Sequence, residues 1–223
     1  MQIALEGSMP ATDEFLNCEV PVFFATSEGQ TRRIAERLAA ILHDLGMDSR
    51  AIDVTGPDAA LVDWTKVRGA LVGASLHIGK HQKTADRFVR AHTSDLNAVP
   101  AAFFSVSLAA ASKNEKEVDA AESLARAFPA ARGWTPGLIV SLAGRLAYRQ
   151  YGLLIRWVMK RIARKEGGPT DTSRDYELTD WTKVEQLARD MAQRIRAREA
   201  VAYDKSGGPV EGPPADENDA RVS

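Results

Sequence analysis

The chain has 223 residues, 44% hydrophobic and 26% charged, long enough for one enlarged domain with its own core and too apolar for a wholly disordered chain. Its 29 Lys and Arg against 30 Asp and Glu leave a net charge of −1, which gives no global excess for nucleic acid and makes every charge argument a local one. The single cysteine, Cys18, excludes an internal disulfide or a C-x-x-C pair and fits a reducing cytoplasm; no apolar run approaches the roughly 18 residues of a membrane-spanning helix, and the first residues do not read as a secretory signal.

Residues 1–18 show no clear periodicity and read as a loosely ordered extension before a domain over 19–200. Val20 to Ala25 is a short apolar and aromatic run that suits a buried strand. After TSEGQT (Thr26 to Thr31), Ile34, Leu38, Ile41, Leu42 and Leu45 form a helical stripe that Gly46 closes. SRAIDV and then Gly69 to Ala74 read as further strands, and apolar strands without alternation suit a parallel sheet covered on both faces. A helix is expected over Lys83 to Asn97, a fourth strand at AAFFSVSL, a helix over Lys116 to Phe128 and a fifth strand over 137–144. The last helix spans Trp181 to Arg198, and the Gly-, Pro- and acid-rich residues 201–223 form a tail without packed structure. Alternating strands and helices imply a doubly wound α/β sheet of five parallel strands. The pentapeptide DWTKV, at 63–67 and 180–184, precedes a strand in one place and opens a helix in the other, so it reads as coincidence, its tryptophans as packing anchors.

In such a sheet a phosphate is expected at the carboxyl end of a strand, against the N-terminus of the next helix, and TSEGQT lies there. Thr26, Ser27 and Thr31 offer hydroxyls, Gly29 permits the turn, and the helix dipole favours an anion. The loop has neither the Lys of a P-loop nor the G-x-G-x-x-G of a dinucleotide fold, which points to a monophosphate. The plain alternative is that Thr26 or Ser27 only caps the helix.

The spacing T-x-x-G-x-T resembles the flavin mononucleotide phosphate loop of flavodoxins, with Glu28 where Thr or Ser is frequent. More specifically, FATSEGQTRRIA, GASLHIG, PAAFFSVSL and GGPTDTSRDYELTDW, in that order between residues 20 and 198, are similar to the flavodoxin-like, quinone-dependent protoporphyrinogen IX dehydrogenases of bacteria. The resemblance implies a flavodoxin-like fold, FMN as cofactor, protoporphyrinogen IX as electron donor and a membrane quinone as acceptor. It implies Thr26, Ser27, Glu28, Gly29, Gln30 and Thr31 around the phosphate, with Glu28 turned to the ribityl chain or the loop because a carboxylate repels a phosphate. It places Ser75, Leu76 and His77, after the third strand, and Ser107, Leu108 and Ala109, after the fourth, against the flavin ring. Neither loop carries a stacking aromatic, and no side chain stands out as a general base. His77 and His81 invite a metal reading, but with no third ligand in register the simpler one is exposed loop histidines.

Between the fifth strand and the last helix about 36 residues intervene, an insertion over roughly 145–178 where 2 to 6 are usual. Arg145 to Lys165 holds seven basic residues and no acid. On a helical wheel Leu154, Ile155, Val158, Met159 and Ile162 share one arc, with Arg156, Lys160 and Arg164 opposite. A basic amphipathic helix suits an anionic membrane surface, a peripheral contact on the inner face of the cell membrane, or else packs on the sheet with a solvated basic face. Arg145 and Arg149, just past the fifth strand, are candidates to pair with substrate propionates. Two other functions suit the fold. The basic insertion speaks against an electron carrier between proteins, and an NAD(P)H:quinone reductase lacks a recognisable nicotinamide site.

Overall fold

Alternate residues of the strands face opposite layers, and this period of two divides the core. The computed structural model describes residues 18–146, 171, 173 and 175–205. In strand β1 (Val22–Ala25), Val22 and Phe24 join one apolar cluster while Phe23 and Ala25 join the other. Helix α1 (Gln30–Asp44) buries Ile34, Leu38 and Leu42 in the first cluster, against Val184, Leu187, Met191 and Ile195 of the C-terminal helix. The opposite layer is aromatic: Phe23, Phe88, Phe103, Phe128 and Trp134 lie together there.

The remaining parallel strands are β2 (Ala51–Asp53), β3 (Ala70–His77), β5 (Ala101–Ser107) and β6 (Leu138–Ala143). Their order is β2-β1-β3-β5-β6, so among the parallel strands the chain starts inside the sheet, runs to one edge at β2 and crosses back to β3. The doubly wound, five-stranded fold expected from the sequence is therefore present, with its switch point between β1 and β3. Gly73 in β3 lets a ring cross the strand: a Cβ there would stand 2.0 Å from Cζ of Phe104.

Several elements depart from the expectation. A short strand β4 (Lys80–His81) folds back antiparallel on β3. The helix expected over 83–97 is two, α2 (Lys83–Ala91) and α3 (Thr93–Ala98). The Thr93 hydroxyl donates to the Val89 carbonyl (2.7 Å) and His92 Nδ1 meets Asp95 Oδ2 (3.1 Å), local bonds that compete with a continuous helix. Helix α4 (Glu115–Ala130) starts at Asn114, whose side chain accepts from Lys116 N.

The insertion, expected to be helical, begins and ends as strand: β7 (Arg145–Leu146) pairs antiparallel with β8 (Tyr176–Glu177). The span 147–170, with Arg149 and the basic amphipathic stretch, lies outside the described residues. Helix α5 (Trp181–Lys205) continues past Arg198, helped by Arg68, which holds Glu199. Cys18, assigned to the extension, is buried, and burial pushes its thiol up to about 11. Both copies of DWTKV open with the same turn, the Asp carboxylate accepting from the amide two residues on, and Trp64 packs on Phe23 while Arg33 lies over Trp181.

Candidate functional site

Strands β1, β3, β5 and β6 are neighbours, so the segments leaving their carboxyl ends lie side by side: Thr26–Thr31, Ser75–His77, Ser107–Ala109 and Arg145. The residues picked from sequence thus converge on one edge, with Arg149 outside the described residues.

The phosphate loop is shaped by its own atoms. Gly29 has φ +83° and its amide donates to Thr26 Oγ1 at 2.9 Å, a conformation in which a side chain would be strained. No side chain caps α1, so the first-turn N–H groups keep their capacity for an anion. Thr31 is 1% exposed and its hydroxyl has no partner among the described residues. A buried hydroxyl without a bond destabilises by about 1–3 kcal/mol, and one placed on the first turn of a helix after a Gly-containing loop is a donor awaiting an acceptor. Ser75 Oγ is likewise buried and unpartnered. Ser107 is engaged already: its hydroxyl accepts from Ala110 N at 3.2 Å and its carbonyl from Gly144 N at 3.1 Å, which sets the turn of Leu108 and Ala109.

Gln30 has a role its sequence position does not reveal. Its buried amide donates to Glu177 Oε1 and to Thr179 Oγ1, both at 2.9 Å, and Arg33 donates to Glu177 Oε2 at 2.9 Å. Thr179 in turn donates to the Ala143 carbonyl at 2.8 Å. The first turn of α1 is thereby tied to the root of the insertion, and the Gln30 side chain is spent on that bond, leaving its backbone N–H for a ligand. Arg145 Nε is buried without a partner among the described residues.

The β3–β4 hairpin closes the other side. His77 pairs with Lys80, so Ile78 and Gly79 form a two-residue turn with φ +49° and +72°, the positive angles a type I′ turn requires. For a β-branched residue this conformation costs on the order of 1–2 kcal/mol. His81 is no exposed loop histidine: its Nε2 meets Ser105 Oγ at 2.8 Å and its ring packs on Phe103 and Phe128. Burial, with Arg132 nearby, pushes its pKa down to about 4, so the ring is neutral. Gln82 Nε2 donates to Ser27 Oγ at 2.5 Å, which ties the hairpin to the phosphate loop. Sequence reading missed these ties because they join residues distant in the chain; only the I-G dipeptide between His77 and Lys80 signals a turn.

Residues 21–173 match the flavodoxin domain family. The chain is 35% identical over 171 residues, 77% of its length and 93% of the relative's, to protoporphyrinogen IX dehydrogenase (quinone) of Escherichia coli (strain K12). The chain belongs to the quinone-dependent protoporphyrinogen IX dehydrogenases of the flavodoxin domain family. A second member, from Leishmania major, is 32% identical over 173 residues, 77% of this chain and 73% of that one. Among solved structures, oxidised flavodoxin 1 of Bacillus cereus covers 78% of the chain with 97% of its own, at 17% identity and a TM-score of 0.47; the strand order carries the fold assignment. The cofactor of a flavodoxin domain is FMN, and the residues fit it. Thr31 Oγ1, the uncapped helix and the Thr26–Gly29 turn suit a monophosphate, and Ser75 Oγ suits a polar group beside the ring.

Proposed function

We propose that this protein oxidises protoporphyrinogen IX to protoporphyrin IX with FMN and passes the electrons to a membrane quinone. The observation that carries the reading is the match over 93% of the Escherichia coli enzyme's length, beside a flavodoxin-domain match over residues 21–173 that takes in the phosphate loop and both ring loops. FMN, when bound, supplies two-electron redox chemistry. The chain's part is to hold it: Thr26, Ser27, Gly29, Gln30 and Thr31 enclose the phosphate, with Glu28 turned to the ribityl chain or the loop and with Thr31 Oγ1 and first-turn N–H groups donating to the phosphate. Ser75, Leu76, His77, Ser107, Leu108 and Ala109 flank the ring. Six electrons leave the porphyrinogen on full aromatisation, so three quinones are reduced to quinols per porphyrin formed.

Arg145 supports the substrate assignment. Its guanidinium Nε, buried at the carboxyl edge without a partner among the described residues, suits a propionate, and Arg149 is its companion in sequence. The seven basic residues of 145–165 support a peripheral contact with an anionic membrane, where the quinone resides. No helix among the described residues is long and apolar enough to cross a membrane.

The test is anaerobic mixing of FMN-loaded protein with protoporphyrinogen IX and a menaquinone analogue, followed by porphyrin fluorescence. A rise that depends on flavin and quinone is expected, and no rise above the flavin-free control overturns the assignment. In a second arm, reversing Arg156, Lys160 and Arg164 to Glu releases the protein from anionic vesicles with its flavin retained; equal vesicle binding overturns the membrane contact.

A further inference from the structure

Ile78 is the only non-glycine residue with positive φ among the described residues, and it is also wholly exposed, at 102%. Each property alone is ordinary, since single exposed hydrophobics are normal. Together they conflict with the turn. The first central position of a two-residue hairpin with positive φ favours Asn or Gly, whose side chains tolerate the conformation. A β-branched residue held there usually gains burial in return, and Ile78 gains none. Neither local preference nor the core accounts for an isoleucine at this position, and residues that break a local rule without a structural return concentrate at functional sites.

The tip is held in place. Leu76 and His77 pair with His81 and Lys80, His81 is bonded to Ser105 on β5, and Gln82 is bonded to Ser27 in the phosphate loop. The hairpin is thus fastened to the central sheet and to the cofactor loop, and it presents Ile78 immediately beyond Ser75, Leu76 and His77. Lys80 and Lys83 next to it are exposed, and neither enters an ion pair among the described residues.

We propose that the hairpin tip is the substrate-selecting contact, with Ile78 against the apolar macrocycle of the porphyrinogen and Lys80 pairing with a carboxylate of that substrate. An apolar side chain flanked by free cations matches a large apolar ring that carries carboxylates. It does not match a quinone, whose ring carries no charge. The assignment rests on the proposed function, naming a residue pair that tells the electron donor from the acceptor.

The experiment uses the full-length, FMN-loaded protein and two readouts: titration with protoporphyrin IX followed by its fluorescence, and separate KM values for protoporphyrinogen IX and for a menaquinone analogue. Ile78→Asn installs the residue the turn favours, so the variant folds, with a melting temperature about 2–4 °C higher for a domain of this size. Its porphyrin Kd and donor KM rise at least about fivefold, as loss of an apolar contact requires, while quinone KM and FMN affinity stay within about twofold. Lys80→Glu raises the donor KM by a similar factor, more at low salt than at high. Donor KM and porphyrin Kd within about twofold of wild type in both variants overturn the proposal. So does a rise in quinone KM alone, or a loss of binding to phosphatidylglycerol vesicles with porphyrin Kd unchanged, which would make the tip a lipid contact. A wild-type protein that binds protoporphyrin through Ile78 and Lys80 yet forms none from porphyrinogen fails the proposed function and keeps this contact. A wild-type protein that turns over, with both variants unchanged, does the reverse.

Discussion

At the amino ends of the strands several polar side chains find partners within the chain, although Arg132 Nε and Trp134 Nε1 are buried there with none among the described residues. Arg68 donates to Glu19 and Glu199, each at 2.5 Å, and the buried Ser49 hydroxyl donates to the Val20 carbonyl at 2.7 Å. At the carboxyl ends Thr31 Oγ1, Ser75 Oγ and Arg145 Nε are buried with no partner among the described residues. Two buried hydroxyls therefore differ: Ser49 is bonded at the amino edge, and Thr31 at the carboxyl edge has no partner among the described residues. An intramolecular bond made at the amino end stabilises the fold, whereas a donor left unsatisfied at the carboxyl end destabilises it until a ligand supplies the acceptor.

The comparison breaks most readily at Thr31. Thr31→Val removes a hydroxyl but keeps the shape, so the protein without flavin is as stable as wild type or more so. Loss of a charge-assisted bond to the phosphate, about 1.5–3 kcal/mol, weakens FMN binding by roughly 10 to 150-fold. Flavin titration with a parallel melting curve reads both. An unchanged Kd would place the hydroxyl outside the phosphate site.

His81 sharpens the comparison, because at the carboxyl edge it is a side chain that has found its partner. Its folded pKa of about 4 lies below the ordinary 6.5, so the unfolded chain takes up the proton first. Its contribution is therefore complete above pH 6.5 and falls as the pH drops from 6.5 towards 4. The loss is on the order of 3 kcal/mol, and His81→Phe, which keeps an aromatic ring but cannot titrate, lacks it. Melting temperatures of the two proteins across this range check the sign. Parallel curves would show that another group carries the acid sensitivity.

The smallest effect belongs to the amino edge. Arg68→Ala removes two partly exposed ion pairs and lowers stability by about 1 kcal/mol, with FMN affinity unchanged. Hydrogen bonding to Arg68 holds the Glu199 carboxyl below its ordinary value. This share of stability is therefore present above the usual carboxylate range and disappears as the pH falls through the lowered value. Flavin loss in Arg68→Ala would mean that the two edges are coupled.

Much of this was legible in the chain because it is local. Apolar runs and helical stripes marked all five parallel strands, and Gly29 and Gly46, both at positive φ, marked turns where the sequence reading placed them. TSEGQT stood out as a candidate phosphate loop through residue type and its place between a strand and a helix. The break at His92 was less visible, since it depends on side-chain bonds from Thr93 and His92 that compete with a helix whose periodicity continues. The strands at the root of the insertion left no mark in the sequence, because strands of two residues carry no period of their own and form only by pairing.

The sequence by itself determined the fold class, the strand-to-helix loop TSEGQT and the segments that meet at the carboxyl edge, because periodicity, turn residues and strand-to-helix order act over a few residues. Only the tertiary structure decided which polar groups in that edge are satisfied. Gln30 is tied to Glu177 and Thr179 across nearly 150 residues, His81 is buried and neutral against Ser105, and Thr31 has no partner among the described residues. Whether a buried hydrogen bond is made depends on which distant segments the sheet brings within about 3 Å, and no local pattern encodes that distance.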